Sequence, residues 1–292
     1  MDRNLFKKND IKNHSKNRRQ RNPLRLLWFA IFLLVFLAGI FYFKLNISKK
    51  NVTLMVGHRG YSSKYTENTP EAFRQAFKQG FDGIELDVYK DADGELLVFH
   101  DVSLLRMTGE NEIIWNLTEE TRDKYLIQTD PESKPQKIPT LKEVLKLCSG
   151  YSGKILIHLK DEKDLGYEVD DSCVGQIEEL VKEYDLSDRV IVFSGRRVIK
   201  NFVGRYDLEF GLLTGKEAFA QISELAKWAQ EYDVHTILFL YMSTLDFYPE
   251  DKVYELTSRG IQAGMYTVET KEDFEKLEKY GFRYAITDYK WR

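Results

Sequence analysis

The sequence predicts an α/β fold: a (β/α)8 TIM barrel with a small insertion after the second strand, preceded by one transmembrane helix. From residue 52 onward, eight short β-branched or apolar segments alternate with amphipathic helical segments, as in a barrel of this type. Such a barrel needs about 250 residues, which residues 45–292 supply. A separate apolar segment at residues 24–44 lies ahead of the barrel.

The eight strand segments are Val52–Gly57, Gly83–Tyr89, Lys154–Lys160, Val190–Phe193, Leu208–Leu212, Thr236–Leu240, Gln262–Val268 and Tyr284–Thr287. The helical segments are Pro70–Gln79, Leu141–Cys148, Gly175–Tyr184, Arg197–Tyr206, Ala218–Glu231, Pro249–Arg259 and Lys271–Tyr280. A doubly wound sheet is the alternative, but the Gly-rich phosphate turn of that fold does not follow the first strand.

The predicted insertion begins with a hairpin. Asp93-Gly94 is a strong two-residue turn signal, and it predicts an extra strand at Leu96–Phe99 that ends at His100. Residues 101–138 then lack the barrel's alternation and form the insertion. It lies on the side of the strands where barrels keep their active sites.

The leader has the composition of a membrane anchor. Residues 26–43 contain no charged side chain, and about 20 apolar residues in a helix span a bilayer core. Nine of the 43 Lys and Arg residues precede this segment, so the positive-inside rule predicts a basic cytoplasmic tail at 1–23. The helix at 24–44 would then make a single-pass protein whose barrel is extracytoplasmic. A cleaved signal peptide is the alternative. Signal peptides normally have a shorter apolar region than this one, and the region ends at a cleavage site formed by small residues.

Charge and cysteine content narrow the partners. Without residues 1–25 the chain carries 34 basic and 44 acidic side chains, and this acidic excess argues against nucleic acid as a partner. Cys148 and Cys173 lie far apart in sequence and in no metal-binding spacing, and two buried thiols are the simpler interpretation.

Two carboxylates fall on one face of the second strand. Side chains alternate along a strand, so Glu85 and Asp87 point the same way, as do His158 and Lys160 on the third strand. The inner face at the strand tops opens onto a barrel's active site. Glu85, Asp87 and His158 are therefore a candidate site for one divalent ion, which would relieve the repulsion between the carboxylates. A structural ion network with Arg59 and Lys160 is the alternative.

Two further histidines end predicted strands. His58 follows the first strand beside Arg59, and His100 follows the hairpin strand beside Asp101. Two imidazoles at strand ends, each next to a charged residue, are a candidate acid–base pair. His235, in contrast, begins a strand at the opposite end of the barrel.

A series of short motifs has a characteristic order and spacing. They are His58-Arg59-Gly60, Glu67-Asn68-Thr69, Ile84-Glu85-Leu86-Asp87-Val88, Asp93-Gly94, His100-Asp101, then Leu104, Arg106 and Thr108, and later Ile138-Pro139-Thr140-Leu141, Tyr266-Thr267-Val268 and Ile286-Thr287-Asp288. Over nearly all of residues 52–292 the chain thus resembles the glycerophosphodiester phosphodiesterase family.

The resemblance implies metal-dependent hydrolysis of glycerophosphodiesters to glycerol 3-phosphate and an alcohol. The family's acid and base fall on His58 and His100, in an order that stays open, and its metal carboxylates fall on Glu85 and Asp87. Arg59 is expected to hold a phosphate oxygen. The expected partners are the membrane and a small-molecule or lipid-derived phosphodiester, including lysophospholipids and glycerol-phosphate polymers.

The third strand departs from the family pattern. It reads Leu156-Ile157-His158-Leu159-Lys160 where the family has Asn-x-Glu-x-Lys. Lys160 keeps the lysine and is assigned to substrate binding, whereas His158 takes the place of a third carboxylate ligand. One divalent ion, Mg²⁺, Ca²⁺ or Mn²⁺, is expected, and the imidazole shifts the preference toward Mn²⁺ or Zn²⁺. Asp161 and Glu162 are alternative ligands.

The same departure keeps two other functions open. A degenerate, non-catalytic barrel that binds glycerol phosphate would explain the loss of the carboxylate at position 158. A phospholipase of the same superfamily would instead release a different product, such as choline phosphate or a cyclic phosphate.

Overall fold

The structure, a computed structural model, describes residues 28, 31–37, 52–129, 134–240 and 250–292. The chain divides into two compact units, Met1–Lys50 and Asn51–Arg292. In the first unit the described residues are helical. Among the described residues no helix is both long and apolar enough to span a bilayer. The predicted tail at 1–23 lies outside the described residues, and so does most of the predicted transmembrane helix at 24–44.

Within the described residues of the second unit, eight parallel strands form a barrel. They are β1 (Leu54–Gly57), β2 (Gly83–Lys90), β6 (Lys154–Leu159), β7 (Val190–Ser194), β8 (Phe210–Thr214), β9 (Thr236–Leu240), β10 (Gln262–Tyr266) and β11 (Tyr284–Thr287). Each strand pairs with the next, and β1 pairs with both β2 and β11, which closes the sheet. The predicted (β/α)8 barrel is confirmed.

Helices connect the strands on the outside of the barrel. They are α1 (Pro70–Lys78), α4 (Leu141–Cys148), α5 (Asp171–Glu183), α6 (Arg196–Phe202), α7 (Ile222–Glu231), α8 (Glu250–Ser258) and α9 (Lys271–Tyr280), with α2 (Leu105–Thr108) and α3 (Glu119–Arg122) in the insertion. Helix α5 begins four residues before its predicted start because the side chain of Asp170 caps it. Helix α7 begins later than predicted because a 3₁₀ helix, Lys216–Gln221, precedes it.

The apolar core has an inner and an outer part. Val56, Leu156, Ile191 and Leu238 fill the barrel interior together with three further side chains, Phe193, Tyr284 and Ile286. A larger cluster packs the outer face of the strands against the helices. Side chains therefore alternate across each strand as predicted, and inward-pointing residues at the strand tops face a shared space.

The insertion is folded over the edge of β2. Strand β3 (Leu96–Val98) pairs antiparallel with β2, as the Asp93-Gly94 turn predicts. After it come α2, a 3₁₀ turn at Ile114–Asn116, α3 and a small hairpin of β4 (Leu126–Ile127) and β5 (Gln136–Lys137). A separate apolar cluster around Tyr89 and Phe99 anchors this segment to the barrel.

The two cysteines are buried and do not pair. Cys148 ends α4 and Cys173 lies in the first turn of α5, and both thiols are free. Burial raises the pKa of Cys148 to about 12 and that of Cys173 to about 11, so both remain protonated at neutral pH.

Candidate active site

A cavity of about 210 Å³ opens at the carboxyl ends of the barrel strands. We call one side the charged wall; it consists of His58, Arg59, Glu85, Asp87, His100 and His158. The rest of the lining is mainly apolar. We call Phe193, Leu213, Leu238, Leu240 and Ile286 the apolar wall, and Tyr266 and Thr267 complete the lining. The structure thus brings together six of the seven side chains that the sequence nominates, and the seventh, Lys160, lies just behind Asp87.

Strand register explains the cluster of possible metal ligands. Asp87 on β2 is the direct neighbour of His158 on β6, and both side chains point inward. Nδ1 of His158 and Oδ1 of Asp87 are 2.9 Å apart. One ligand atom each from Glu85, Asp87 and His158 lies within 4.8 Å of the others, which is compact enough for a single divalent ion.

The two carboxylates of this cluster are electrostatically unequal. Burial and the negative charge of Asp87 raise the pKa of Glu85. Burial acts in the same sense on Asp87, but the hydrogen bond from His158 and the charges of His158 and Lys160 outweigh it and lower the pKa of Asp87. Two buried carboxylates and an imidazole form a donor set that suits a divalent cation.

Asp161 and Glu162, the alternative ligands, are not part of the cluster of possible metal ligands. Asp161 instead forms an ion pair with Arg197, and Glu162 accepts a hydrogen bond from the hydroxyl of Tyr89 at 3.3 Å. His158 is therefore the third-strand side chain that faces the two carboxylates.

His58 is held by the last strand of the barrel. Its Nδ1 donates to Oδ1 of Asp288 at 2.8 Å, and the Ser62 hydroxyl donates to the same oxygen at 2.7 Å. Burial disfavours the imidazolium, but the hydrogen bond to Asp288 and the nearby charge of Glu85 outweigh it, so the pKa of His58 is raised. With Nδ1 engaged, Nε2 is the ring nitrogen available to the cavity.

His100 has a similar support with a different electrostatic result. Its Nδ1 donates to Oδ1 of Asp101 at 2.7 Å. Burial lowers the pKa of His100, and the positive charges of Lys160 and Arg59 act in the same direction against the charge of Asp87. The neutral imidazole is therefore favoured at this position.

Arg59 lies in a tight turn after β1. Its backbone has φ of +53°, and its backbone N–H donates to Oε2 of Glu85 at 3.1 Å. Its guanidinium Nη1 donates to Glu67 at 2.8 Å, and its Nε lies 3.5 Å from Oδ2 of Asp87. Gly60 has φ of +89°, and a Cβ there would lie 2.7 Å from the backbone of Ala72, so glycine is required where the turn meets α1.

Lys160 is placed by two contacts. Its Nζ lies 3.9 Å from Oδ1 of Asp87 and 5.9 Å from the ring centre of Tyr89. It therefore contributes positive charge beside the carboxylate cluster.

The apolar wall depends on the absence of a side chain at Gly211. A Cβ on Gly211 would lie 2.1 Å from the ring of Phe193, its register neighbour.

Several supporting residues had no role in the sequence-based site. Asp288, Asp101 and Glu67 hold His58, His100 and Arg59 in place, and Asn68 donates to Oδ2 of Asp87 at 3.1 Å. Each of these four lies in one of the spaced motifs, which is the signal that could have identified them. Ser62 and the leucines of the apolar wall have no such signal.

Fold and site together define the class: a barrel with two carboxylate-supported histidines at the strand tops, beside a cluster of two carboxylates and a histidine that could hold a metal ion. The model of the glycerophosphoryl diester phosphodiesterase family matches residues 58–290. The chain belongs to this family and is a phosphoric diester hydrolase.

Curated relatives agree with this assignment. The chain is 30% identical over 242 residues to a glycerophosphodiester phosphodiesterase of Caldanaerobacter subterraneus subsp. tengcongensis, covering 81% of this chain and 94% of the relative. It is 26% identical to a lysophospholipase D of Homo sapiens, over 80% of this chain and 82% of that one.

Solved structures share the fold. The glycerophosphodiester phosphodiesterase of Thermotoga maritima superposes with a TM-score of 0.64 at 27% identity, over 81% of this chain and 94% of that one. A phosphodiesterase of Oleispira antarctica in complex with the product sn-glycerol-3-phosphate has a TM-score of 0.70 at 20% identity, over 82% and 94% of the two chains.

Proposed function

We propose that this chain hydrolyses glycerophosphodiesters to glycerol 3-phosphate and an alcohol, with His58 and His100 as the proton-transfer pair. The observation that carries the proposal is that both imidazoles, each held through Nδ1 by a carboxylate, line the same cavity as Glu85 and Asp87. Hydrolysis of a phosphodiester needs a base for the water, an acid for the leaving oxygen and positive charge at the phosphate.

The carboxylate behind each histidine supports different roles. Asp101 accepts a charged hydrogen bond from Nε of Arg106 at 2.6 Å. The positive charge of Arg106 partly neutralises Asp101, so Asp101 stabilises an imidazolium at His100 less strongly. The neutral ring of His100 can therefore act as the general base. The lowered pKa of His100 agrees with this role.

The surroundings of His58 favour the opposite role. Asp288 is bonded by the neutral hydroxyl of Ser62, so more of its negative charge stabilises an imidazolium at His58. His58 can therefore act as the general acid, which the raised pKa of His58 supports.

The chemistry of the donor set fits a divalent ion held by Glu85, Asp87 and His158. When bound, the ion supplies positive charge next to the non-bridging oxygens of the phosphate. Two carboxylates suit Mg²⁺, Ca²⁺ or Mn²⁺, and the imidazole favours Mn²⁺ or Zn²⁺ more than a third carboxylate would. Arg59 and Lys160 add fixed positive charge on either side of the same cluster.

In the proposed reaction, each of the two histidines transfers one proton. Nε2 of His100 accepts a proton from the water that attacks phosphorus, and Arg59 binds a non-bridging oxygen. The bond between phosphorus and the alcohol oxygen breaks, and Nε2 of His58 donates a proton to that oxygen. Glycerol 3-phosphate and the alcohol leave, and proton exchange with solvent restores both rings.

The barrel is proposed to act outside the cytoplasm, attached through a transmembrane helix at 24–44 that follows a basic tail at 1–23. The support is the uncharged run at 26–43 and the excess of Lys and Arg before it. Extraction of the full chain from cell membranes only by detergent would support the anchor. Recovery of a soluble product that lacks the first 45 residues or so would contradict it.

Activity is tested on the full-length chain purified in detergent. After EDTA treatment, release of choline is measured with Mg²⁺, Ca²⁺, Mn²⁺ and Zn²⁺ in turn, on glycerophosphocholine and on lysophosphatidylcholine. The second product should be glycerol 3-phosphate from the first substrate and its acylated form, lysophosphatidate, from the other. We expect turnover that is lost with EDTA and restored by at least one ion. Release of choline phosphate or a cyclic phosphate would instead show a phospholipase reaction, and no turnover with any ion would contradict the proposal.

A further inference from the structure

A chain of ion pairs runs along the rim of the cavity, and Arg106 of α2 stands at its centre. Nε of Arg106 donates to Asp101 at 2.6 Å, while Nη1 and Nη2 donate to the two oxygens of Glu67 at 2.9 and 2.7 Å. Asp101 accepts from His100 at 2.7 Å, and Glu67 accepts from Arg59 at 2.8 Å. Arg106 is thus one carboxylate away from two residues that line the cavity.

We propose that Arg106 is a positioning residue that fixes His100 and Arg59 relative to each other. The inference rests on the proposed function, in which His100 is the base and Arg59 binds the phosphate. Both must meet the same phosphorus centre at once, and an error of about 1 Å in such an arrangement costs about 100-fold in rate. Arg106 binds both Asp101, the partner of His100, and Glu67, the partner of Arg59. Its guanidinium therefore restricts the movement of His100 and Arg59 relative to each other.

The geometry requires arginine at this position. A guanidinium presents five N–H donors in a rigid plane, so it can bind one carboxylate with two parallel bonds and a second with Nε. A lysine ammonium is a point charge on a flexible stem and cannot hold both carboxylates in fixed directions. The bidentate bonds to Glu67 and the separate bond to Asp101 use this property of Arg106.

A contribution to folding alone does not account for the arrangement. The side chain of Arg106 is 47% exposed and does not line the cavity, and exposed ion pairs contribute little to folding stability. Its neighbours Leu104 and Met107 are buried and anchor α2 in the apolar cluster of the insertion. The insertion thereby delivers one charged side chain to the rim of the site.

The test compares variants of the full-length chain on glycerophosphocholine with the restoring ion. We expect R106M to lower kcat about 10- to 100-fold and to raise KM, because His100 and Arg59 are both released. R106K is expected to lie between R106M and the wild type. R122M is the matched control: Arg122 belongs to the same insertion and lies 3.6 Å from the buried Asp91, away from the cavity. R122M should lower Tm and leave kcat and KM unchanged.

Double variants separate positioning from a structural role. D101N should lower mainly kcat and E67Q should raise mainly KM, and R106M should add little to D101N/E67Q, because Arg106 acts through these two carboxylates. Equal losses from R106M in every background, in proportion to Tm, would overturn the inference. Unchanged kinetics of R106M would overturn it as well while leaving the proposed function intact. A wild-type chain without turnover would overturn both.

Discussion

The charged wall and the apolar wall of the cavity are held in place by different forces. Each side chain of the charged wall has a polar partner at a defined distance, such as Asp288 for His58 and Asp101 for His100. The side chains of the apolar wall are held by packing, as where the ring of Phe193 fills the space left by Gly211. We conclude that changes to the charged wall affect mainly the chemistry, whereas changes to the apolar wall affect mainly stability.

The largest effect on activity is expected from the charged wall. Replacement of the proposed general base, H100A, should lower kcat about 100- to 10,000-fold with little change in Tm. H235A is the matched control, since His235 is exposed, forms an ion pair with Asp233 and lies at the opposite end of the barrel. Steady-state kinetics of both variants test this, and similar losses in the two would refute the role of His100.

The apolar wall should respond in the opposite way. Leu238 is 1% exposed and packs inside the barrel, so L238A should lower the free energy of unfolding by about 2 to 5 kcal/mol. With substrate at saturation, kcat should fall less than about 10-fold, because no proton or charge is removed. Denaturant unfolding and kinetics of the same preparation measure the two quantities. A loss of activity without a loss of stability would break the distinction between the walls.

A smaller effect is expected when His158, the proposed third metal ligand, is replaced by a side chain that can also bind a metal. H158E adds a carboxylate next to Asp87 and should shift the ion preference toward Mg²⁺ and Ca²⁺ by about 10-fold, because harder cations favour oxygen ligands. Titration of the EDTA-treated variant and wild type with each ion tests the shift. Equal affinities in the two proteins would place the ion away from His158.

The smallest expected effect is on thermal stability: E85Q should change Tm in opposite directions without and with a bound divalent ion. The folded-state pKa of Glu85 is raised, so its ionisation costs stability as pH rises through that pKa. In EDTA at pH 7, E85Q should therefore raise Tm by a few degrees, since it removes the repulsion from Asp87. With a saturating divalent ion the same variant should have a lower Tm than the wild type. A decrease in Tm under both conditions would mean that Glu85 is structural.

The sequence was sufficient to predict which side chains share a face when they lie close together on one strand. The two-residue period places Glu85 and Asp87 on one face, and the observed strand β2 confirms it. Boundaries were less accurate where a local cap decides them, as at Asp170 before α5. Caps and 3₁₀ turns depend on single hydrogen bonds, which periodicity does not report.

The apolar wall could not be predicted as part of the site. Leu213 and Leu238 have the composition of ordinary core strands, and their place beside the cavity depends on how far each strand extends toward the barrel top. Periodicity predicts the face of the strand on which a residue lies, but not how close that residue is to the top of the barrel. The charged wall is recognisable because its residue types are unusual at strand ends.

The sequence by itself determined the barrel, the strand that carries each charged residue and the face to which that residue points, because these follow from local periodicity. Only the tertiary structure decided which carboxylate supports His58. Gly57 and Thr287 are register neighbours in β1 and β11, so closure of the barrel brings the next residues, His58 and Asp288, to 2.8 Å across 230 positions of sequence. Such a contact is set by the pairing of the first and last strands, which no local pattern encodes.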